Sequence, residues 1–428
     1  MFLFIRKKQK KHIIKSEIIL LYLYNFIIRF YILIAKLLSF WNQKAKSWID
    51  GRGFIFQKVL VKKKENAKVY WFHCASVGEF EQAMPLIELY KKQYASLSIL
   101  ITFYSPSGFE YAQRKYPDEW ISYLPFDIKS DIAQFIDTVQ PDKVFIVKYE
   151  FWYHLLDTLS ERKIPTYLVS GIFRKEQIFF KWYGSFFRKI LSGFTHFFVQ
   201  DENSKQLLNS IQFENVTIIG DTRFDRVVEL KKTNFYDKKL NSFFKNQPIF
   251  IAGSIWESDI PIINKIIMTL PKGWKIILVP HEISNFPYQK IKLPFIKYSK
   301  IEQEEIDERV VCVDAVGILS KIYRYARFAY VGGGFGKGIH NLLEPAVYGI
   351  PVLIGPKHQK FIEAKKLIEM GVAFEINLKN TENIISNHIL NEQALNTISN
   401  SITNLLSNNS NLSSKMIVLI EKNEKKEN

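Results

Sequence analysis

From residue 69 onward, short apolar runs alternate with helical patterns, and that alternation restricts the fold more than any single motif does. The predicted strands are Val69–His73, Leu97–Thr102, Trp120–Leu124, Lys143–Val147, Thr166–Val169, His196–Val199 and Val216–Ile219. Helical patterns at Glu79–Lys92, Ser130–Thr138, Phe151–Arg162 and Glu202–Ser210 separate several of them. Such an order predicts an α/β fold with a parallel sheet covered on both faces, and ligands at the carboxyl ends of its strands. A polar, lysine-rich stretch, Leu230–Gln247, interrupts the pattern. It restarts at Ile249–Ala252 and continues through Lys275–Val279, Val310–Val313, Phe328–Val331, Val352–Ile354 and Val372–Ile376, with helices at Gly317–Tyr325 and Phe361–Met370. The chain therefore reads as two α/β domains, 44–229 and 248–407, joined by a linker at 230–247. Its 428 residues are enough for two ordinary domains. Lys290–Arg309 is charged and reads as peripheral, and the Asn-, Ser- and Lys-rich end, 408–428, as a flexible tail.

The strand ends carry the residues that suggest chemistry. Ala75-Ser76-Val77-Gly78-Glu79 bridges the first strand and its helix. Glu79 falls in the first helical turn, where it is either a carboxylate base or a plain partner of the helix dipole. Glu150 follows Val144–Val147 and is either a second acid or a neighbour of a helix cap; Lys148 is placed to pair with it or to bind an anion. Arg174 and Arg223 lie in turns after later strands; Arg223 is a candidate phosphate ligand or a structural turn residue. In the second half, Gly253-Ser254 leads from a strand toward Glu257 and Asp259, in a turn of the type that suits phosphate. The run Val331–Pro356 orders strand, glycine loop, helix and strand, with Gly333, Gly334, Lys337 and Gly338 in the loop and Asn341 and Glu344 after it. Glycines there let a backbone approach an anion, though a tight strand-to-helix turn needs them equally. His281 follows Lys275–Val279, and no second histidine stands four residues later, so a zinc-protease motif is excluded. No Asp-x-Asp occurs, so no metal and no other cofactor is expected.

Charge and the amino terminus point to a partner. The net charge is +17, from 59 Lys+Arg against 42 Asp+Glu, which favours an anionic ligand or surface. With no zinc-finger spacing and no basic motif interleaved with aromatics, nucleic acid ranks last. Five lysines between Lys7 and Lys15 precede an apolar segment from Ile18 to Trp41, broken by Asn25, Arg29 and Lys36. That length suffices to span a bilayer, but Arg29 near its middle is costly there. The segment reads as an anchor over residues 1–43, spanning once or lying in the interface, with a core helix as the bland alternative. A removed signal peptide is not expected. A cluster of aromatics, Phe179–Phe187, is either lipid-facing or helix packing. Cys74 and Cys312 read as buried thiols in a reducing compartment.

Taken in order, these residues resemble a family. Lys46-Ser47-Trp48-Ile49-Asp50-Gly51-Arg52, Ser76-Val77-Gly78-Glu79, Glu150 with Trp152, Gly220-Asp221 with Phe224-Asp225, Gly253-Ser254 and Gly338-Ile339-His340-Asn341-Leu342-Leu343-Glu344-Pro345-Ala346 are similar to the motifs of bacterial 3-deoxy-D-manno-octulosonic acid (Kdo) transferases. These are lipid A glycosyltransferases of the inverting, two-domain GT-B kind. The resemblance implies two Rossmann-like domains with parallel sheets facing a central cleft, and an N-terminal membrane-anchor helix. It implies transfer of Kdo from CMP-Kdo to a phosphorylated lipid A precursor at the cytoplasmic face of the inner membrane. Glu79 then looks like the base, Glu150 like the second acid, and Gly253, Ser254, Asn341 and Glu344 like the CMP site. Three stretches depart from the pattern. Ser170-Gly171-Ile172-Phe173-Arg174 lacks the usual arginine at its third position, Pro280-His281-Glu282 stands for Pro-Arg-His, and Gly333-Gly334-Phe335 stands for Gly-Gly-Ser. Another nucleotide-sugar enzyme of the same architecture, lipid-disaccharide synthase-like, and an inactive membrane-attached scaffold are the alternatives.

Overall fold

The computed structural model describes residues 2–53, 55–62, 67–244, 246–301, 308–336 and 338–427. The chain divides into two compact units, Met1–Arg223 with Asn411–Asn428, and Phe224–Ser410.

In the first unit the predicted runs form strands β1 (Val69–Cys74), β2 (Ser98–Phe103), β3 (Trp120–Tyr123), β4 (Lys143–Val147), β5 (Thr166–Gly171), β6 (His196–Val199) and β7 (Val216–Ile218). They pair in the order β3-β2-β1-β4-β5-β6-β7, all parallel. β1 and β2 are buried at every position, as a sheet covered on both faces requires. The strand order reverses between β1 and β4. That switch point opens a crevice at the carboxyl ends of the two strands, the usual ligand position of a doubly wound sheet.

Four helices matter most here: α1 (Phe2–Leu38), α2 (Gln43–Asp50), α3 (Ile55–Lys62) and α4 (Val77–Gln93). Within α1, Glu17–Leu38 is long and apolar enough to cross a membrane by length and composition. The helix nonetheless lies on the first unit by one face. Leu20, Leu21 and Tyr24 pack on the core, the Tyr24 hydroxyl donates to Asp127 at 2.6 Å, and Asn25 meets His154 Nε2 at 2.6 Å. The opposite face, Ile18, Tyr22, Leu23, Phe26, Ile27, Phe30, Leu33 and Leu37, is exposed.

The second unit repeats the design with strands β8 (Ile249–Ile255), β9 (Lys275–Pro280), β10 (Phe295–Lys297), β11 (Val310–Cys312), β12 (Phe328–Val331), β13 (Val352–Ile354) and β14 (Ala373–Glu375). Their order is β10-β11-β9-β8-β12-β13-β14, again all parallel, with the reversal between β8 and β12.

Three expectations are corrected, and one peripheral strand was not predicted. The stretch 230–247 is not a bare linker. It contains the helix Lys238–Phe244, whose Leu240, Phe243 and Phe244 are spaced to face the core of the second unit, and the compact boundary falls at Arg223/Phe224. The tail is not frayed either. Leu412–Glu427 is a helix with Leu412, Met416 and Ile420 buried at four-residue spacing. It returns to the first unit, where Glu421 accepts from Tyr94 at 2.8 Å and Glu424 pairs with Lys143 at 2.6 Å. The charged stretch after Lys290 supplies an edge strand, β10. The helix expected after the glycine loop is only four residues, Leu343–Ala346; Gly349, at φ +76°, follows it and the chain turns into β13.

Candidate active site

β1 ends at Cys74, and the chain turns through Ala75-Ser76 into α4, which sets Glu79 in its first turn. The carboxylate folds back so that Glu79 Oε2 accepts from the Ala75 N–H, and the Ser76 N–H also faces it. Glu79 is 7% exposed. Burial, and then the nearby Glu150 carboxylate, push its pKa up to about 7, against the opposing pull of those two N–H groups and Lys148. A carboxyl poised near neutrality is suited to exchanging a proton during catalysis. Ser76 caps α4 without a side-chain cap hydrogen bond, and a Cβ added at Gly78 would meet nothing within 4 Å. The backbone beside Glu79 is therefore bare, and no packing contact within 4 Å accounts for the glycine.

Glu150 follows β4 at the same switch point. Its Oε2 accepts the indole N–H of Trp152 at 2.7 Å and lies 3.4 Å from His73 Nε2. Trp152 is held in turn, stacked on Tyr104 at 4.8 Å. Tyr104 is braced by Arg52, whose Nη2 donates to the Tyr104 carbonyl at 3.0 Å. Arg52 also donates to the carbonyls of Leu124 and Trp48, and its guanidinium lies 4.6–5.1 Å from four aromatic rings. Gly51 lies so close to Tyr123 that a Cβ would come within 2.2 Å of its ring. The Trp48–Arg52 motif thus buttresses the wall behind Glu150.

The Gly220-Asp221-Thr222-Arg223 turn braces α4. Gln82 donates to Asp221 at 2.9 Å, and the Thr222 hydroxyl to the Gln82 carbonyl at 2.6 Å. Burial alone would raise the Asp221 pKa, but the forked Arg223 guanidinium, with Lys148 and Gln82, holds it at about 2. Arg223, a candidate phosphate ligand or structural turn residue, is paired with Asp221: Asp221 is buried, the arginine largely so, and the carboxylate needs its counter-charge. Arg174 is exposed in the loop after β5.

In the second unit Gly253-Ser254 lies inside β8 rather than in a turn beyond it, because a bulge against β9 carries the strand on to Ile255. A Cβ at Gly253 would come within 2.0 Å of the Tyr323 hydroxyl. Lys148, Ser170 and Ser254, at or near the carboxyl ends of β4, β5 and β8, adopt left-handed backbone with φ of 61°, 52° and 52°. Such strain, about 1–3 kcal/mol for each residue, tends to collect at functional sites.

The glycine loop is explained chiefly by packing. A Cβ on Gly332 would strike the Ser254 carbonyl, and one on Gly334 the Gly355 backbone. Gly333 and Gly338 have φ of +93° and +114°. Their N–H groups, expected to cradle phosphate, go instead to Asp259 Oδ2 at 2.9 Å and to the Gly333 carbonyl at 2.9 Å. Lys337 lies outside the described residues. Asn341 Oδ1 accepts from the Leu343 N–H at 3.0 Å, and its amide nitrogen lies 3.4 Å from Glu344 Oε1.

The sequence reading named Asp259 only beside a turn and His340 only within a motif, and passed over Trp256. Asp259 ties the Trp256 N–H, the Gly333 N–H and the Tyr330 hydroxyl together. Trp256 stacks on His281 at 4.3 Å and donates its indole N–H to His340 Nε2 at 3.0 Å. His281 and His340 stack at 4.4 Å. Burial, and then His281, lower the His340 pKa to about 4, so that ring is neutral near pH 7. The Trp256–Asp259 spacing, a helix start after a strand, was the available signal.

Two parallel-sheet, Rossmann-like units with polar groups gathered at their switch points define a fold of the GT-B kind. Solved structures with the same fold include a putative UDP-N-acetylglucosamine 2-epimerase from Listeria monocytogenes, with TM-score 0.59, 10% identity, and 84% of this chain and 97% of that one covered. UGT2 of Phytolacca americana superposes with TM-score 0.52 at 11% identity, covering 84% and 100%. Residues 50–226 match the model of the 3-deoxy-D-manno-octulosonic-acid transferase (kdotransferase) family. The 3-deoxy-D-manno-octulosonic acid transferase of Aquifex aeolicus is 30% identical over 313 residues, 72% of this chain and 81% of that protein. A bifunctional glycosyltransferase/methyltransferase of Fusobacterium nucleatum is 28% identical over 79% of this chain, which spans about half, 54%, of that longer protein. The chain belongs to the Kdo transferase family.

Proposed function

We propose that the chain transfers Kdo from CMP-Kdo to a phosphorylated lipid A precursor, with inversion, at the cytoplasmic face of the inner membrane. The observation that carries this reading is Glu79, a buried carboxyl with its pKa pushed to about 7, set beside Glu150 at the first switch point. A sugar hydroxyl is a weak nucleophile at neutral pH and needs a base in reach. Glu79 takes the hydroxyl proton as the oxygen bonds to the anomeric carbon of Kdo. The bond from that carbon to the phosphate oxygen breaks, and CMP leaves with the electron pair. Attack from the face opposite the leaving group inverts the centre. The nucleotide half is assigned to the second unit, to Gly253, Ser254, His281, Asn341 and Glu344 around Trp256 and His340. The outward apolar face of α1, on a chain of net charge +17, supports attachment in the plane of an anionic bilayer rather than across it.

The test is Glu79→Gln. Removal of a positioned base lowers turnover by about 10²–10⁴-fold. Affinity for CMP, measured by calorimetry, is unchanged. Near-normal transfer by the folded variant removes Glu79 from the mechanism.

A further inference from the structure

The buried face of the first sheet holds a chain of polar groups that ends on Glu150. Trp71 on β1 donates its indole N–H to Thr102 Oγ1 on β2 at 2.8 Å. The same oxygen lies 2.9 Å from His73 Nδ1. His73 is fully buried, and its other nitrogen, Nε2, is 3.4 Å from Glu150 Oε2. A histidine and a threonine at this depth among apolar strands are costly unless each polar atom is used. Here every one of them has a partner. We propose that His73 is a positioning residue, its proton fixed on Nε2 by Thr102 so that it donates to Glu150 and keeps that carboxylate aimed beside Glu79.

The direction of the protons follows from the donor inventory. Trp71 can only donate, so Thr102 Oγ1 accepts from it, and among the described residues His73 Nδ1 is the one group left to accept the buried hydroxyl's own proton. The ring proton is then on Nε2, facing Glu150. The 3.4 Å separation is at the long end for a hydrogen bond, and contacts of this sort tighten when substrate arrives. The groups around the pair are Glu79 on α4, Lys148 before Glu150, Cys74 at the end of β1 and Tyr104 after β2. Burial raises both the Cys74 thiol and the Tyr104 hydroxyl, so both stay neutral. Glu79 feels the Glu150 carboxylate, so a change in the donors to Glu150 is read in the titration of Glu79.

This inference deepens the reading of Glu79 as base, and its test separates the two. The full chain, labelled with ¹³C-glutamate, is titrated by NMR, and the pH dependence of kcat/KM is measured alongside. In the wild type one carboxyl signal titrates near pH 7 and disappears in Glu79→Gln. His73→Leu removes the donor, and the upper titration and the acid limb of the rate profile both move to higher pH by roughly one to two units. His73→Gln, which can still offer an N–H, restores both. Should His73→Leu not fold, Thr102→Val keeps the ring and frees its proton, with a shift in the same direction. A rate loss with the titration unmoved in these variants assigns His73 a packing role only and overturns the proposal. The NMR titration reads the pair whatever the substrates are, so failure of transfer from CMP-Kdo would count against the proposed reaction alone.

Discussion

At the scale of single residues, Glu79 makes a prediction about stability as well as rate. Its folded pKa, about 7, lies above the unfolded carboxylate value of about 4.3. Folding therefore favours the protonated form. That stabilisation is fully present below about pH 4 and is lost as pH rises through 7. At pH 8 the ionised group costs stability, so Glu79→Gln melts higher than wild type, by an amount on the order of 1–3 kcal/mol. At pH 4 the two melt alike. Thermal unfolding at both pH values checks this. A plain partner of the helix dipole behaves oppositely, with the variant about 0.3–1 kcal/mol less stable at pH 8. Glu79 and Glu150 were legible in the sequence because each directly follows a recognisable strand. His73 was not: it sits inside an apolar strand, and nothing local marks it as facing Thr102 on one side and Glu150 on the other. For the loop glycines the sequence left a phosphate cradle and a tight turn equally open, since the backbone contacts that explain them, to β8 and Gly355, are not local.

At the scale of elements, every strand but β10 was recovered, because apolar runs bounded by turns survive in any composition. The Leu412–Glu427 helix was missed because Asn, Ser and Lys hide its four-residue apolar spacing, and what holds it, Tyr94 and Lys143, lies about 300 residues earlier. For α1 the sequence left three readings open, and only tertiary contacts separate its faces. Tyr24 and Asn25 turn inward to Asp127 and His154, while Phe26 and Phe30 stack on each other at 5.9 Å on the outside. The double variant Phe26→Glu with Phe30→Glu is expected to keep the wild-type melting temperature and to lose co-sedimentation with anionic vesicles. Undiminished vesicle binding would place the membrane contact elsewhere.

At the scale of the whole molecule, one topology is used twice. The first unit sets two carboxylates at the reversal between β1 and β4; the second sets Ser254, Trp256 and the glycine loop at the reversal between β8 and β12. Under the proposed function, proton removal falls to one unit and nucleotide recognition to the other. The most direct measurement of this account gives the purified full chain CMP-Kdo and a phosphorylated lipid A precursor, and follows free CMP and acceptor mass together. The account predicts one CMP released for each Kdo gained by the acceptor, with both lost in Glu79→Gln. Release of CMP with no gain in acceptor mass, or equal transfer by the folded Glu79→Gln protein, would contradict it.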